Sequence, residues 1–292
     1  METFAQTLGF SVIAASILVL AASGLSLQFG VTNYINFAYG TYMTVGAYAA
    51  WVCTAILHLE LWLSLILGGF VVAGVALLVS RYVLKYFVLR GGSLLYMLIV
   101  TFGVSVAGDN LLLAAFGSGV KQYPGTTQSA LHLGPVLLTV NQSVLIAVAI
   151  AAMAGQHLLL TRTTLGKSMR AMSDNANLAG ISGINTRRVT DATWLLSGFL
   201  AGLAVATLPL SVFSFDSALG SGYLFVVFAA VILGGIGKPY GALLGGCVIG
   251  LVTQFAGAYL NPAYDIDFAF GILVVVLLVR PQGILGSRSR TA

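Results

Sequence analysis

The chain has 292 residues, of which 59% are hydrophobic and only 7% charged, against roughly 25% charged residues in ordinary soluble domains. That balance excludes a water-soluble domain, and at about 20 residues per helical crossing the length holds eight or nine spans with no room for a separate soluble unit. A net charge of +5 does not point to nucleic acid, because the basic residues sit in short loops between apolar runs instead of clustering on a folded surface.

Apolar segments run at 8–29, 36–57, 61–80, 93–115, 142–161, 190–212, 222–237, 240–260 and 266–280. The opening METFAQTLGF has no basic residue ahead of its apolar run, so it reads as the start of a retained span and not as a secretory signal. The seventh and ninth segments are short for a full crossing at 1.5 Å per residue. Basic residues near span ends stay on the cytoplasmic side. With the N-terminus outside and nine crossings, Arg81, Lys85, Arg90, Arg162, Lys167, Arg170, Arg187, Arg188, Lys238, Arg280, Arg288 and Arg290 all fall inside, and of the 13 basic residues only Lys121 falls outside. The expected fold is thus an all-α, polytopic transmembrane helical bundle of eight or nine spans, with its N-terminus outside and its C-terminus cytoplasmic.

Between the first two spans, NYINFAYG (33–40) gathers two amides and two tyrosines. Amides at such a boundary either cap helix ends or face a translocation path, which makes Asn33, Asn36 and Tyr39 candidates for the path. In the fourth span Asp109 stands beside Asn110, and an ionisable residue at membrane depth is a functional hypothesis by default. If the span ends a turn earlier, Asp109 is simply near water.

The stretch at 161–191, TRTTLGKSMRAMSDNANLAGISGINTRRVTD, is far longer than the roughly two to eight residues a helix connection needs. Helix formers from Leu165 to Met172 predict a short helix along the membrane surface. It either rests on lipid headgroups or docks a cytoplasmic partner. Further on, LGGIGKPYGALLGG places Gly and Pro around Lys238, which predicts a tight inner turn between two closely packed helices.

Enzyme signatures are absent: there is no GxxxxGK[ST], HExxH, GxSxG or CxxC. Cys53 and Cys247 lie in apolar runs without metal or redox spacing. His58, His132 and His157 are scattered and read as interfacial polar residues, so no metal site is expected.

Four places carry a resemblance to the inner-membrane permease subunits of bacterial ABC importers for branched-chain amino acids, the LivH type. They are GLSLQFGVTNYINFAYGTYMTVGAYAA (24–50), the inner stretch with Gly166, Arg170-Ala171, Ala179 and Gly183-Ile184-Asn185, VILGGIGKPYGALLGG (231–246) and the closing RPQGILG (280–286). The resemblance implies a single transmembrane permease domain over 1–292 with a cytoplasmic coupling loop at 162–190. Gly166, Arg170, Ala171, Ala179, Gly183 and Ile184 would belong to the surface that meets the ATPase subunit. It also implies a multi-pass protein of the bacterial cytoplasmic (inner) membrane that is not an enzyme and holds no cofactor, ATP being bound by partner subunits. Those partners would be a second related permease, two cytoplasmic ATP-binding subunits and a periplasmic substrate-binding protein. The solute would be a branched-chain or related amino acid; permeases of the same family for urea or short amides are the alternative, and an ion-coupled secondary transporter is the reading from a different class. Two positions depart from the family pattern. Tyr39-Gly40-Thr41 stands where His-Gly-Glu is common, and Asp109 stands where an amide is expected.

Overall fold

The computed structural model describes residues 2–124, 130–133, 136–212, 214–261 and 264–286. Helices follow in the order α1 (Glu2–Thr32), α2 (Tyr39–Ala55), α3 (Leu61–Val79), α4 (Lys85–Leu89), α5 (Leu94–Phe116), α6 (Val140–Arg162), α7 (Thr164–Asp174), α8 (Ala176–Ile181), α9 (Thr186–Thr207), α10 (Pro209–Val212), α11 (Leu219–Gly234), α12 (Pro239–Tyr259) and α13 (Asp265–Val279). A π-helical turn, Ser80–Leu84, joins α3 to α4 without a break. The connection before α6 holds two antiparallel strands, β1 (Ala130–Leu133) and β2 (Val136–Thr139), with Ala130 opposite Thr139. This hairpin is an addition to the expected helix-only bundle.

Each apolar segment of the sequence forms a helix. Among the described residues, six helical stretches are long and apolar enough to cross a membrane: Phe4–Thr32, Leu61–Leu89, Leu94–Phe116, Val140–Arg162, Thr186–Ser211 and Pro239–Tyr259. The other three, α2, α11 and α13, have 17, 16 and 15 residues, so helix length alone carries six crossings and not the expected eight or nine. Ten of the basic residues gather toward one end of the bundle, at the ends of α3, α6 and α11 and the starts of α5 and α9. Lys121 lies at the other end, bridged to Phe215 and 5.1 Å above the Trp51 ring. Arg288 and Arg290 lie outside the described residues.

Two of the short helices begin inside the bundle. A Cβ placed on Gly24 would meet the Tyr39 hydroxyl, Leu200 and the Ser197 carbonyl, so the first residue of α2 sits level with Ser197. That residue is eleven positions into α9, about 16 Å from its basic end. The N-terminus of α11 meets α2 at the same depth, where a Cβ on Gly220 would strike the Gly40 carbonyl and one on Gly40 would strike Gly220. Helix starts buried this way need their orphan N–H groups satisfied. Both use the same local device: Asn36 Oδ1 accepts from the Ala38 N–H at 3.0 Å, and Asp216 Oδ1 accepts from the Ala218 N–H at 3.0 Å. The Phe37 N–H goes to Thr101 Oγ1 at 3.2 Å and the Gly220 N–H to Thr44 Oγ1 at 3.0 Å.

These paired features belong to an internal repeat. Asn36-Phe-Ala-Tyr-Gly40 before α2 matches Asp216-Ser-Ala-Leu-Gly220 before α11, and LGGFVVAG in α3 (67–74) matches LGGCVIGL in α12 (244–251). Packing follows the same plan: α1 lies along α12 as α9 lies along α3, and α2 sits against α3 as α11 sits against α12. Gly246 is pressed on Val19 as Gly69 is pressed on Phe199. Lipid supplies no hydrophobic drive for helix association, so these close backbone approaches supply the dispersion contacts that hold the bundle together. The Gly40–Gly220 crossing brings equivalent positions of the two repeats into contact.

Gly220→Ala places a methyl group into the Gly40 carbonyl and is expected to cost about 1–3 kcal/mol. Gly103, with nothing within 4 Å of its would-be Cβ, is the control: Gly103→Ala exchanges a poor helix former for the best one. Thermal unfolding in detergent should show a midpoint lowered by several degrees for the first and held or raised for the second.

Candidate functional site

The stretch from Thr163 to Asn185 is a helix–turn–helix–turn built by three successive caps. Thr163 Oγ1 accepts from the Gly166 N–H at 3.0 Å, Asn175 Oδ1 from the Leu178 N–H at 2.9 Å, and Asn185 Oδ1 from the Arg188 N–H at 3.0 Å. Side-chain acceptors at these positions start α7, α8 and α9 in turn. Gly183, at φ +86°, makes the reversal into α9, a conformation that favours glycine.

Helix α7 is amphipathic, and its apolar face packs on protein. Met169 and Met172 close over Leu27 and Val31 of α1, Leu160 of α6, Ala179 of α8 and Val189 of α9 in a small separate core. Gly166 rests on Leu159 and Leu160 so closely that any Cβ would overlap their backbone. The apolar face of α7 is thus turned to protein.

Of the residues the sequence singles out for coupling, Gly166 and Ala179 are buried in the base of this platform, and Ala171 and Ile184 are half-buried against its core. Arg170 and Gly183 face outward. The sequence reading passes over the two residues that most change the character of the outer face, Leu178 and Ile181 on α8, exposed by 62% and 85%. Large apolar side chains exposed on a packed base mark an interaction surface. The signal is present in NLAGI, where leucine and isoleucine flank the buried Ala179 on a helix too short to bury them. Beside the platform, a cavity of about 490 Å³ is lined by Arg170, Ser173 and Asp174 of α7 and by Lys238 and Tyr240 of the α11–α12 turn. That turn is tight, as expected: Gly234 and Gly241 touch backbone to backbone. The closing RPQGILG binds it from below, with the Ile284 and Leu285 N–H groups donating to the Leu233 and Gly234 carbonyls at 2.8 and 3.0 Å.

The four path candidates do not form one cluster. Asn33 is exposed at a left-handed φ of +57° and ends α1. Asn36 is buried and caps α2 through Oδ1, while its Nδ2 has no partner. Tyr39 is fully buried and donates to the Ala21 carbonyl at 2.8 Å. Asp109 is half-buried and faces α2, with its Oδ1 2.7 Å from the Thr41 hydroxyl, which lies 3.0 Å from the Ser105 hydroxyl. The two departures from the family pattern, at Thr41 and Asp109, are therefore in direct contact. His157 bonds the Tyr240 hydroxyl at 2.9 Å, His58 sits in the turn before α3, and the side chain of His132 lies outside the described residues. No group of three His, Cys, Asp or Glu able to hold a metal occurs among the described residues.

Two cavities flank the Gly40–Gly220 crossing. The larger, about 780 Å³, opens between α1, α6, α11, α12 and α13 and is lined in part by Gln6, Phe10, Ala14, Ser211 and Asp216. The smaller, about 320 Å³, lies at the basic end between α1, α3 and α9 and is lined in part by Val31, Arg81, Thr186, Thr190 and Trp194. The spacing that carries Asn36 to Asp216 also carries Gln6, Phe10 and Ala14 to Thr186, Thr190 and Trp194, and Val31 to Ser211. The two cavities are equivalent positions of the repeat. At the crossing the Phe37, Ala38, Ala218 and Gly220 N–H groups have side-chain acceptors in Thr101, Asn36, Asp216 and Thr44.

The family described as branched-chain amino acid transport system / permease component matches residues 7–277. Among similar proteins, the high-affinity branched-chain amino acid transport system permease protein BraD of Pseudomonas aeruginosa is 28% identical, over 97% of this chain and 96% of its own length. A probable branched-chain amino acid transport permease protein LivH of Methanocaldococcus jannaschii is 32% identical, over 94% of this chain and 90% of its own. The LivH permease protein of Escherichia coli is 29% identical, over 97% and 96%. No solved structure matches the chain.

Met169→Asp should strand a carboxylate in the apolar base of α7 and loosen the platform, because an unpaired buried charge is not tolerated there. Trypsin added at the basic end should then cut at Lys167 or Arg170 at least several-fold faster than in the wild type, whereas Ser168→Asp, on the polar face, should leave the rate unchanged.

Proposed function

This chain belongs to the branched-chain amino acid transport permease family, and from that premise we propose that it forms half of the membrane path of an ATP-driven importer for branched-chain or related amino acids. It works beside a second related permease, two cytoplasmic ATP-binding subunits and a periplasmic substrate-binding protein, in the bacterial inner membrane. The basic end is cytoplasmic by the positive-inside rule, which puts the N-terminus outside. In this arrangement α2 and α11 complete their crossings with the non-helical segments before them, which bury their polar groups in protein and not in lipid.

One observation carries the reading: a platform at the basic end is keyed by its core into α1, α6 and α9 and leaves Leu178, Ile181 and Arg170 exposed on its outer face. A chain with no nucleotide-binding sequence needs a surface of this kind to receive motion from an ATPase. The lever is stiff because its base is packed, and packed interfaces pass on displacement where loose ones absorb it. Gly166, Ala171, Ala179 and Ile184 hold the platform in shape, while Arg170 and Gly183 lie at the contact. Asn33, Asn36, Tyr39 and Asp109 belong to the region that rearranges when the Gly40–Gly220 crossing opens, with Asp109 reading the solute through Thr41. An ion-coupled carrier working alone fits less well, since it calls for several ionisable groups at mid-membrane and the described spans offer Asp109.

With the partner subunits present, Arg170→Glu, Gly183→Glu and Ile181→Asp should each abolish uptake of labelled leucine while the chain remains inserted, and ATPase subunits should no longer co-purify. Undiminished uptake and co-purification would refute the docking role. Uptake of urea or acetamide in place of leucine, with docking intact, would retain the importer and change its solute.

A further inference from the structure

We propose that the cavity between α1, α3 and α9 is a binding site for the phosphate of an anionic phospholipid headgroup. Its charged lining consists of Arg81, Lys85, Arg187 and Asp191. The one acid is taken: Arg81 grips Asp191 with two bonds, Nε to Oδ1 at 3.3 Å and Nη2 to Oδ2 at 2.7 Å. Lys85 and Arg187 are left with no ion pair among the described residues. Both are exposed at the mouth, and Arg187 stands in the first turn of the 22-residue helix α9, whose positive end favours an anion.

The floor supplies an independent sign of a missing acceptor. Trp194 is 1% exposed and lines the cavity, yet its Nε1–H has no partner. An indole N–H can only donate, and a buried donor left unpaired is costly. An ammonium, a guanidinium and an unpaired indole N–H on residues lining one cavity form a donor set for a phosphate oxyanion.

The repeat shows that this charge is not part of the shared frame. The equivalent cavity beyond the crossing has no cation in its lining and carries Asp216. Lipid is favoured over free phosphate as the source because the mouth is flanked by apolar groups with no protein cover. Tyr82 and Leu89 are exposed by 77% and 75%, and Val88, which also lines the cavity, is exposed as well. They offer a surface for acyl chains directly beside the basic group, as in basic pockets between spans at the cytoplasmic side. The inference stands whatever solute the protein carries.

The test is native mass spectrometry of the full chain after exchange into mixed phosphatidylglycerol and phosphatidylcholine. Phosphatidylglycerol should be retained selectively, and Lys85→Ala/Arg187→Ala should weaken its retention by roughly tenfold. Trp194→Phe, which keeps a ring against Tyr42, should weaken retention by a smaller factor. Lys167→Ala/Arg188→Ala removes the same charge outside the cavity and should change nothing. Equal loss in that control would reduce the effect to general surface charge and overturn the site. Displacement of the lipid by millimolar inorganic phosphate would assign the cavity to the free ion. Unchanged retention in the Lys85/Arg187 variant with loss of ATPase co-purification would assign the basic residues to a protein partner.

Discussion

Helices in a bilayer gain nothing from hiding apolar surface from one another, since the surrounding lipid is as apolar as they are. What holds this chain in one arrangement is backbone brought within contact of backbone, which only glycine permits at the observed distances. The Gly40–Gly220 crossing is the point on which the rest turns, because there two helix starts meet with neither Cβ present. Such a meeting would be prohibitive if the four free N–H groups of each helix end faced hydrocarbon. Asn36, Asp216, Thr44 and Thr101 remove that cost, so the packing and the capping depend on each other. Around this point α1 with α12 and α9 with α3 form two equivalent pairs.

The platform built by α7 and α8 connects to that centre through few intermediates. Its core touches α1 at Leu27 and Val31 and α9 at Val189. Farther along the same two helices, Gly24 and Ser197 abut Tyr39 at the start of α2. In the proposed importer, a push on Leu178 and Ile181 therefore reaches the crossing through two helices and a small apolar core, with no flexible linker between. Arg81 and Asp191 tie α3 to the start of α9 in the same region. The π-helical turn that carries Arg81 widens α3 at that level, as such insertions often do at functional sites.

The contact between Thr41 and Asp109 gives meaning to two departures that the sequence shows separately. Resemblance to the family implies an acid on α2 and an amide on α5; here the hydroxyl is on α2 and the acid on α5, 2.7 Å apart. The cavities share a frame from the repeat and differ in charge: Arg81, Lys85 and Arg187 at the basic end, Asp216 at the other.

Composition and hydropathy by themselves settled that the chain is a bundle of membrane helices, placed each helix to within a few residues, and marked the stretch before α9 as more than a connector. These readings succeed because burial in lipid acts on every residue of a span and leaves a long, local trace. Four ordered motifs were enough to indicate the family. The repeat was also written in the letters, as NFAYG against DSALG and LGGFVVAG against LGGCVIGL, but its meaning needed the helices to be seen in pairs. Only the tertiary structure decided that α2 and α11 start deep in the bundle, that Tyr39 is a packing residue bonded to Ala21, that Asp109 faces Thr41, and that Leu178 and Ile181 stand out from the platform. Each of these depends on which helices meet and at what height. Contact between residues far apart in the chain is a property of packing, and no local pattern records it.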